Sequence, residues 1–148
     1  KNTFCGDLDD TSKWYYNAAI WCAYHQAMSL YQPWGYGGGY FEPDKIMTRS
    51  DIVESVYRFA YHYMKQVDRV GEYVNGAYTR GDVGTWEEFF AHGFIDPSKA
   101  GEAWRWAVKQ GIIFGYDDNS LRPNNWVTRA EFAAIITRFV KHYDLQFE

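Results

Sequence analysis

Two stretches of the chain carry apolar side chains at the interval of an α-helix. Val53, Val56, Tyr57, Ala60, Tyr63 and Met64 recur three and four residues apart, and Phe132, Ile135, Ile136, Phe139, Val140 and Tyr143 do so again. Residues at that spacing share one face, so each stretch predicts an amphipathic helix with a single buried stripe. Both follow a helix-start signal. Thr48 and Thr128 are good N-cap residues, and an acid stands three positions on, Asp51 and Glu131 respectively, as a capping box requires. On arm length alone, Glu131 suits that box better than the shorter Asp51. A first helix is expected ahead of each, over about residues 12–29 and 99–110, the latter closed by Gly111, a residue suited to left-handed backbone. Residues 66–93 contain Gly71, Gly76, Gly81 and Gly84 and read as loop, followed by a short helix from Trp86 to His92. The expected fold is all-α: helix-loop-helix repeats packed as a compact bundle with Gly/Pro-rich loops.

The two amphipathic helices belong to a larger repeat. Pro43, Thr48, Arg49, Arg58, Phe59, His62 and Tyr63 return as Pro123, Thr128, Arg129, Arg138, Phe139, His142 and Tyr143, every pair 80 residues apart and without a gap. Seven identities in one register mark a duplicated unit. Upstream the register continues with a shift, Ala19–Gln26 aligning with Ala103–Gln110, and the first copy carries four extra residues around Pro33, Trp34, Gly35 and Tyr36. The chain therefore divides into a first module over 1–65 with an extended loop, a connecting insertion or decayed repeat over 66–93, and a second module over 94–148.

Composition narrows the function classes. The net charge is −4, which argues against nucleic acid as the main partner, because phosphate binding relies on clustered Lys and Arg. No run of about 18 apolar residues exists, so no membrane insertion is expected. The chain opens on Lys1 without a basic-then-apolar leader, so a secretion signal is expected to be absent or removed. Hydrophobic residues make up 47%, as in a globular chain. Aromatic residues reach 20%, with seven Trp, thirteen Tyr and ten Phe, more than a core of this size needs. Some are thus expected at the surface, where Tyr and Trp suit wet contacts with sugars or polymers. Cys5 and Cys22 are compatible with a disulfide or with two buried thiols.

The stretch "GIIFGYDDNSLRPNNWVTRAEFAAIITRF", Gly111 to Phe139, resembles the S-layer homology module. The resemblance rests on Phe94-Ile95-Asp96, Gly111-Ile112-Ile113, Gly115-Tyr116, Asp118, Leu121, Pro123 and Thr128-Arg129-Ala130-Glu131-Phe132. Asn119 replaces the family's loop glycine and Val127 its isoleucine; Asn tolerates left-handed backbone better than most residues. The first copy keeps Asp10, Trp14, Ala19-Ile20, Phe41, Pro43 and Thr48-Arg49-Ser50-Asp51, but replaces G-I-I-x-G-Y with Met28-Ser29-Leu30 and a longer loop. The resemblance implies a secreted, non-catalytic module that anchors proteins at the bacterial cell surface by binding secondary cell-wall polysaccharide, a pyruvylated or otherwise anionic glycan. It also implies three modules around a pseudo-threefold axis, so a third module is expected in cis or in trans. The alternative is a structural or protein-binding module whose sugar site has drifted.

The resemblance carries the ligand role to the T-R-A-E arginine, here Arg49 and Arg129. An arginine fork meets a carboxylate with two parallel bonds, and a helix N-terminus favours an anion; the competing role is an intramolecular or solvated arginine. Trp14 is expected to stack on sugar or to pack in the core. Tyr116 and Asp118 are expected to supply hydrogen bonds, Asp118 also closing a turn. Trp34, Tyr36 and Tyr40 are candidate exposed aromatics in the first copy's loop. Arg58 and Arg138 read as structural or surface residues. No catalytic residue, cofactor or metal is expected. Glu87-Glu88 and Asp117-Asp118 are adjacent acids that do not face each other across a cleft, and His25, His62, His92 and His142 lack ligand spacing. "DDNS" lacks the alternating acids of a calcium loop, and "GYGGGY" has no following G-K-[ST].

Overall fold

The computed structural model describes residues 5–33, 35, 38–97 and 101–145. In chain order these form α1 (Tyr16–Tyr24), α2 (Arg49–Arg58) running into a π-helical turn (Phe59–Tyr63), strands β1 (Tyr73–Val74) and β2 (Ala77–Tyr78), then α3 (Trp86–Phe90), α4 (Glu102–Lys109) and α5 (Arg129–His142). The expectation of an all-α fold is corrected: β1 and β2 pair antiparallel, Tyr73 opposite Tyr78 and Val74 opposite Ala77, and the fold is mixed. The cause is local. Asn75 and Gly76 both adopt positive φ, 50° and 84°, giving a two-residue turn whose twist matches paired strands. The arm is held at its base, where the Asp68 N–H donates to Asp82 Oδ2 at 2.7 Å and the Asp82 N–H returns to the Asp68 carbonyl at 2.7 Å. Gly71 sits there at φ 72°, and a Cβ on it would collide with the Gly81 backbone nitrogen and Thr79 Oγ1.

The main core lies between the two copies. α2 packs on α4, and Ile52, Val53, Val56 and Ala60 meet Ala103, Trp104, Trp106 and Ala107, with Ile112, Ile113, Leu121, Ile135 and Phe139 completing the cluster. Trp104 buries its ring and donates its Nε1–H to Ser50 Oγ at 3.2 Å, meeting the need of a buried indole for a partner. A smaller cluster of Cys5, Leu8 and Ala19 sits under α1. Cys5 and Cys22 are both thiols; burial, and then Asp7 beside it, push the Cys5 thiol up to about 11.

Each copy is tied together by the same joints. In the second, the Asp96 carboxylate accepts the N–H groups of Leu121 (2.6 Å) and Arg122 (2.9 Å). In the first, Asp7 accepts those of Phe41 and Glu42, both at 2.8 Å. Arg122 and Glu42 stand at positive φ, 50° and 57°, a conformation costing an L-residue roughly 1–2 kcal/mol and held here by the carboxylate. Arg58 donates from Nε to the Gln26 carbonyl (2.8 Å), and Arg138 from Nη1 to that of Ile112 (3.5 Å), each lashing a second helix to the end of its own copy's first helix. Gly111 follows α4 at φ 71°, and Asn119 is left-handed at 62°, its amide donating to the carbonyls of His92 and Gly93.

The capping boxes depart from the arm-length argument. Asp51 closes its box, accepting the Thr48 N–H at 2.9 Å while Thr48 Oγ1 accepts the Asp51 N–H at 3.1 Å. Thr128 accepts the Glu131 N–H at 3.1 Å, but the Glu131 carboxylate does not accept the Thr128 backbone N–H; it takes a bond from across the copy boundary.

Candidate functional site

That boundary is where the sequence-predicted residues converge. The first turn of α2 enters the loop of the second copy: the N–H groups of Arg49 and Ser50 donate to the carbonyls of Asn125 and Pro123, both at 2.9 Å. The orphan donors of this helix start are therefore filled by protein rather than by an anion. The Arg49 side chain follows. Only 4% exposed, it donates from Nε to the Leu121 carbonyl (2.8 Å), from Nη2 to that of Phe114 (3.2 Å), and from Nη1 to Glu131 Oε2 (2.8 Å). Its guanidinium also lies 4.6 Å from the Tyr116 ring centroid. Arg49 is thus a clamp between the copies.

Over this clamp lies a shallow groove of about 530 Å³, lined by Tyr116, Arg122, Asn124, Asn125, Trp126 and Glu131 among others. Tyr116 donates its hydroxyl to Glu131 Oε2 at 2.6 Å, and the Arg122 guanidinium lies 3.9 Å from its ring centroid. Burial alone would raise the Glu131 carboxyl, but the bonds from Tyr116, Arg49 and Thr128 outweigh it and hold the group below its ordinary value. Burial, with the bond to Glu131, raises the Tyr116 phenol. Asp118 accepts Ser120 Oγ (2.5 Å) and N–H (3.1 Å) through Oδ1, closing the turn, and its Oδ2 faces Arg122 Nη2 at 3.5 Å. The bonds from Ser120 keep its carboxyl below the usual range. Trp126, 68% exposed, stands at the groove with no ring partner among the described residues.

Arg129 opens α5 as an exposed side chain with no hydrogen bond or ion pair to another described residue. Its N–H and that of Ala130 donate to no described residue either, unlike their counterparts Arg49 and Ser50. Of the remaining sequence candidates, Trp14 is 92% exposed and, among the described residues, its ring meets that of Tyr15 edge-on. Tyr40 pairs its backbone with Tyr31 and lies against Gly6. Neither lines the groove. Trp34 and Tyr36 lie outside the described residues. The structure thus brings Arg49, Tyr116 and Asp118 together around residues the motif reading passed over, Arg122 and Trp126. The signal for both was available: a guanidinium and an indole within the same loop, four residues apart. Asp7 was also missed in favour of Asp10, which instead accepts bonds from Ser12.

A helix, a proline-closed loop and a capped second helix, joined to a copy of itself by an arginine clamp, define a helical repeat module whose contacts run from copy to copy. The S-layer homology domain profile matches residues 95–133, within the second copy. The chain is also similar to a cellulosome-anchoring protein of Acetivibrio thermocellus, 29% identical over 104 residues that cover 70% of this chain and 20% of the relative. The chain therefore spans about a fifth of that relative's length. No solved structure matches. Among the described residues no helix is long and apolar enough to cross a membrane, and no group of three or more His, Cys, Asp or Glu is placed to hold a metal ion.

Proposed function

We propose that the chain is a non-catalytic cell-surface anchoring module that holds an anionic cell-wall glycan, such as a pyruvylated secondary polysaccharide, in the groove of its second copy. The observation that carries this reading is the groove itself: an unpartnered Trp126 face beside the Arg122 guanidinium, with side-chain amides of Asn124 and Asn125 at the rim. An acidic sugar needs a ring to stack on, a cation for its carboxylate and donors for its hydroxyls. Arg129 adds a second cation, with no hydrogen bond or ion pair to another described residue, at a helix start with open N–H groups, which favours negative charge. Tyr116 lines the groove and, with Asp118, holds Arg122, while Arg49 acts from behind by positioning Tyr116. The family match and the anchoring relative support the cell-wall location. Trp14 and Tyr40 are assigned to contacts of the first copy.

A specific asymmetry favours a second role alongside the first. Positions that α2 buries are open at the start of α5: Ile52 is 6% exposed and Phe132, its equivalent, 45%; Arg49 is buried and Arg129 exposed. We assign this open start to a third module, in cis or in trans, docking on α5 as the second docks on α2. Residues 66–93 are then an insertion between two modules, 1–65 and 94–148, rather than a third unit.

The test is sedimentation of the protein with purified bacterial sacculi, before and after hydrofluoric acid strips the secondary polymer. Binding should be lost on stripping and weakened by Trp126→Ala and by Arg129→Ala, with unfolding midpoints unchanged. Binding that survives stripping, or that ignores both substitutions, overturns the glycan reading.

A further inference from the structure

Away from the groove, the insertion and the helices beneath it enclose a second cleft of about 900 Å³. Tyr61 of the π-helical turn, Glu102 of α4, and Arg69, Tyr78 and Arg80 of the hairpin arm line it. One wall is locked. Arg69 donates from Nη2 to Glu102 Oε1 (2.7 Å) and from Nη1 to the Tyr61 hydroxyl (3.0 Å). Glu102 Oε2 accepts the Tyr57 hydroxyl at 3.0 Å, and the Tyr57 and Tyr61 rings stack at 6.0 Å and 10°. Two of the five guanidinium donors of Arg69 are used in these bonds, leaving three to meet a ligand.

Arg80 differs. Its side chain is exposed, with no hydrogen bond or ion pair to another described residue. Its backbone is fixed: φ is 67°, and its N–H donates to the Val70 carbonyl at 3.1 Å. A rigid hairpin base therefore presents an unpaired cation beside Tyr78, whose ring is exposed and meets Tyr73 edge-on at 5.1 Å. A paired Arg–Glu couple offers hydroxyl partners, a phenol ring offers a stacking face, and a lone guanidinium offers a fork for a carboxylate.

We propose that this cleft is a second binding site, for a carboxylate-bearing sugar, with Arg80 taking the carboxylate, Tyr78 the ring and the Arg69–Glu102 couple the hydroxyls. It stands apart from the groove, with the insertion supplying Arg69, Tyr78 and Arg80 and the repeated units Tyr61 and Glu102. The test titrates the whole chain by calorimetry with a glucuronate-containing oligosaccharide and with its carboxyl-reduced counterpart. Saturable binding is expected for the acid, weaker by about tenfold for the reduced sugar and for Arg80→Gln and Tyr78→Ala, with the same loss for Arg80→Gln in a chain that already carries Trp126→Ala and Arg129→Ala. The Arg80 Nε–H resonance, identified by its loss in Arg80→Gln, should move on addition of the acid. No saturable binding, equal binding of the reduced sugar, or binding insensitive to Arg80→Gln and Tyr78→Ala overturns the inference. Loss confined to Trp126→Ala and Arg129→Ala does so too while upholding the groove, so the two sites fail separately.

Discussion

Replacing Arg49 by alanine tests whether the arginine of the repeated motif is a clamp in one copy and a free contact in the other. The substitution removes three charge-assisted bonds and strands the acceptors they served: the carbonyls of Leu121 and Phe114 and the carboxylate of Glu131. Breaking a buried pair by deleting one partner costs about 3–5 kcal/mol. Here the Glu131 side chain is 25% exposed and keeps its bond from Tyr116, so it recovers part of its solvation. The lower end applies, about 3 kcal/mol. For a chain of this length that lowers the thermal midpoint by about 10 °C. Arg49→Lys should cost about half as much, since one ammonium reaches fewer of the acceptors. Arg129→Ala, its exact counterpart in sequence, should stay within about 0.5 kcal/mol. Thermal unfolding followed by circular dichroism on the three variants decides the matter. Equal midpoints for Arg49→Ala and Arg129→Ala, or a cost below about 1 kcal/mol for Arg49→Ala, would refute the clamp.

Two further outcomes follow from the same geometry. Glu131 has a folded-state pKa below its ordinary 4.5, so its contribution is complete above that value and is lost as the pH falls through the folded value; Glu131→Gln should flatten the decline of the midpoint between about pH 5 and pH 3, and an unchanged slope would count against the pair. Asp96→Ala removes the acceptor for two N–H groups and the support for left-handed Arg122; it should cost about 2 kcal/mol and speed amide exchange at Leu121 and Arg122, which retained protection would contradict.

The parts of this molecule that sequence reading reached are those where a local rule and the fold agree. The stripes of α2 and α5, the Thr48 and Thr128 caps, the glycine after α4 and the left-handed Asn119 all follow from period, cap chemistry and backbone sterics within a few residues. The hairpin was legible too: Tyr73-Val74-Asn75-Gly76-Ala77-Tyr78 sets a two-residue turn signal between apolar positions, and only the surrounding glycines made it read as loop. What no local rule reaches is the joint between copies. That α2 would pack on α4, and that Arg49 would spend its donors on Phe114, Leu121 and Glu131, depends on contacts 65 to 82 residues apart. The spacing of a motif says which residues share a helix start, not whether that start faces solvent or a neighbour.

The acids of the two motifs show how near-identical units come to do different things. Asp51 has an arm short enough to stay on its own cap, so it closes the box and reaches nothing else described in the second copy. Glu131 has one more methylene, and its carboxylate accepts Arg49 Nη1 and the Tyr116 hydroxyl instead of the Thr128 backbone N–H, exchanging one charge-assisted cap bond for two charge-assisted bonds. The same divergence separates the grooves. Eighty residues before Arg122 and Trp126 stand Glu42 and Ile46, and the first copy's cleft, about 330 Å³, is lined by Glu42 and Asp51 with Lys45 and Arg58. With Glu54 also in its lining, an anionic ligand meets three carboxylates and no indole among the described residues there, against an indole and an accessible guanidinium in the second copy. Duplication supplied two grooves of related shape, and the charges written into them leave one suited to an acidic sugar.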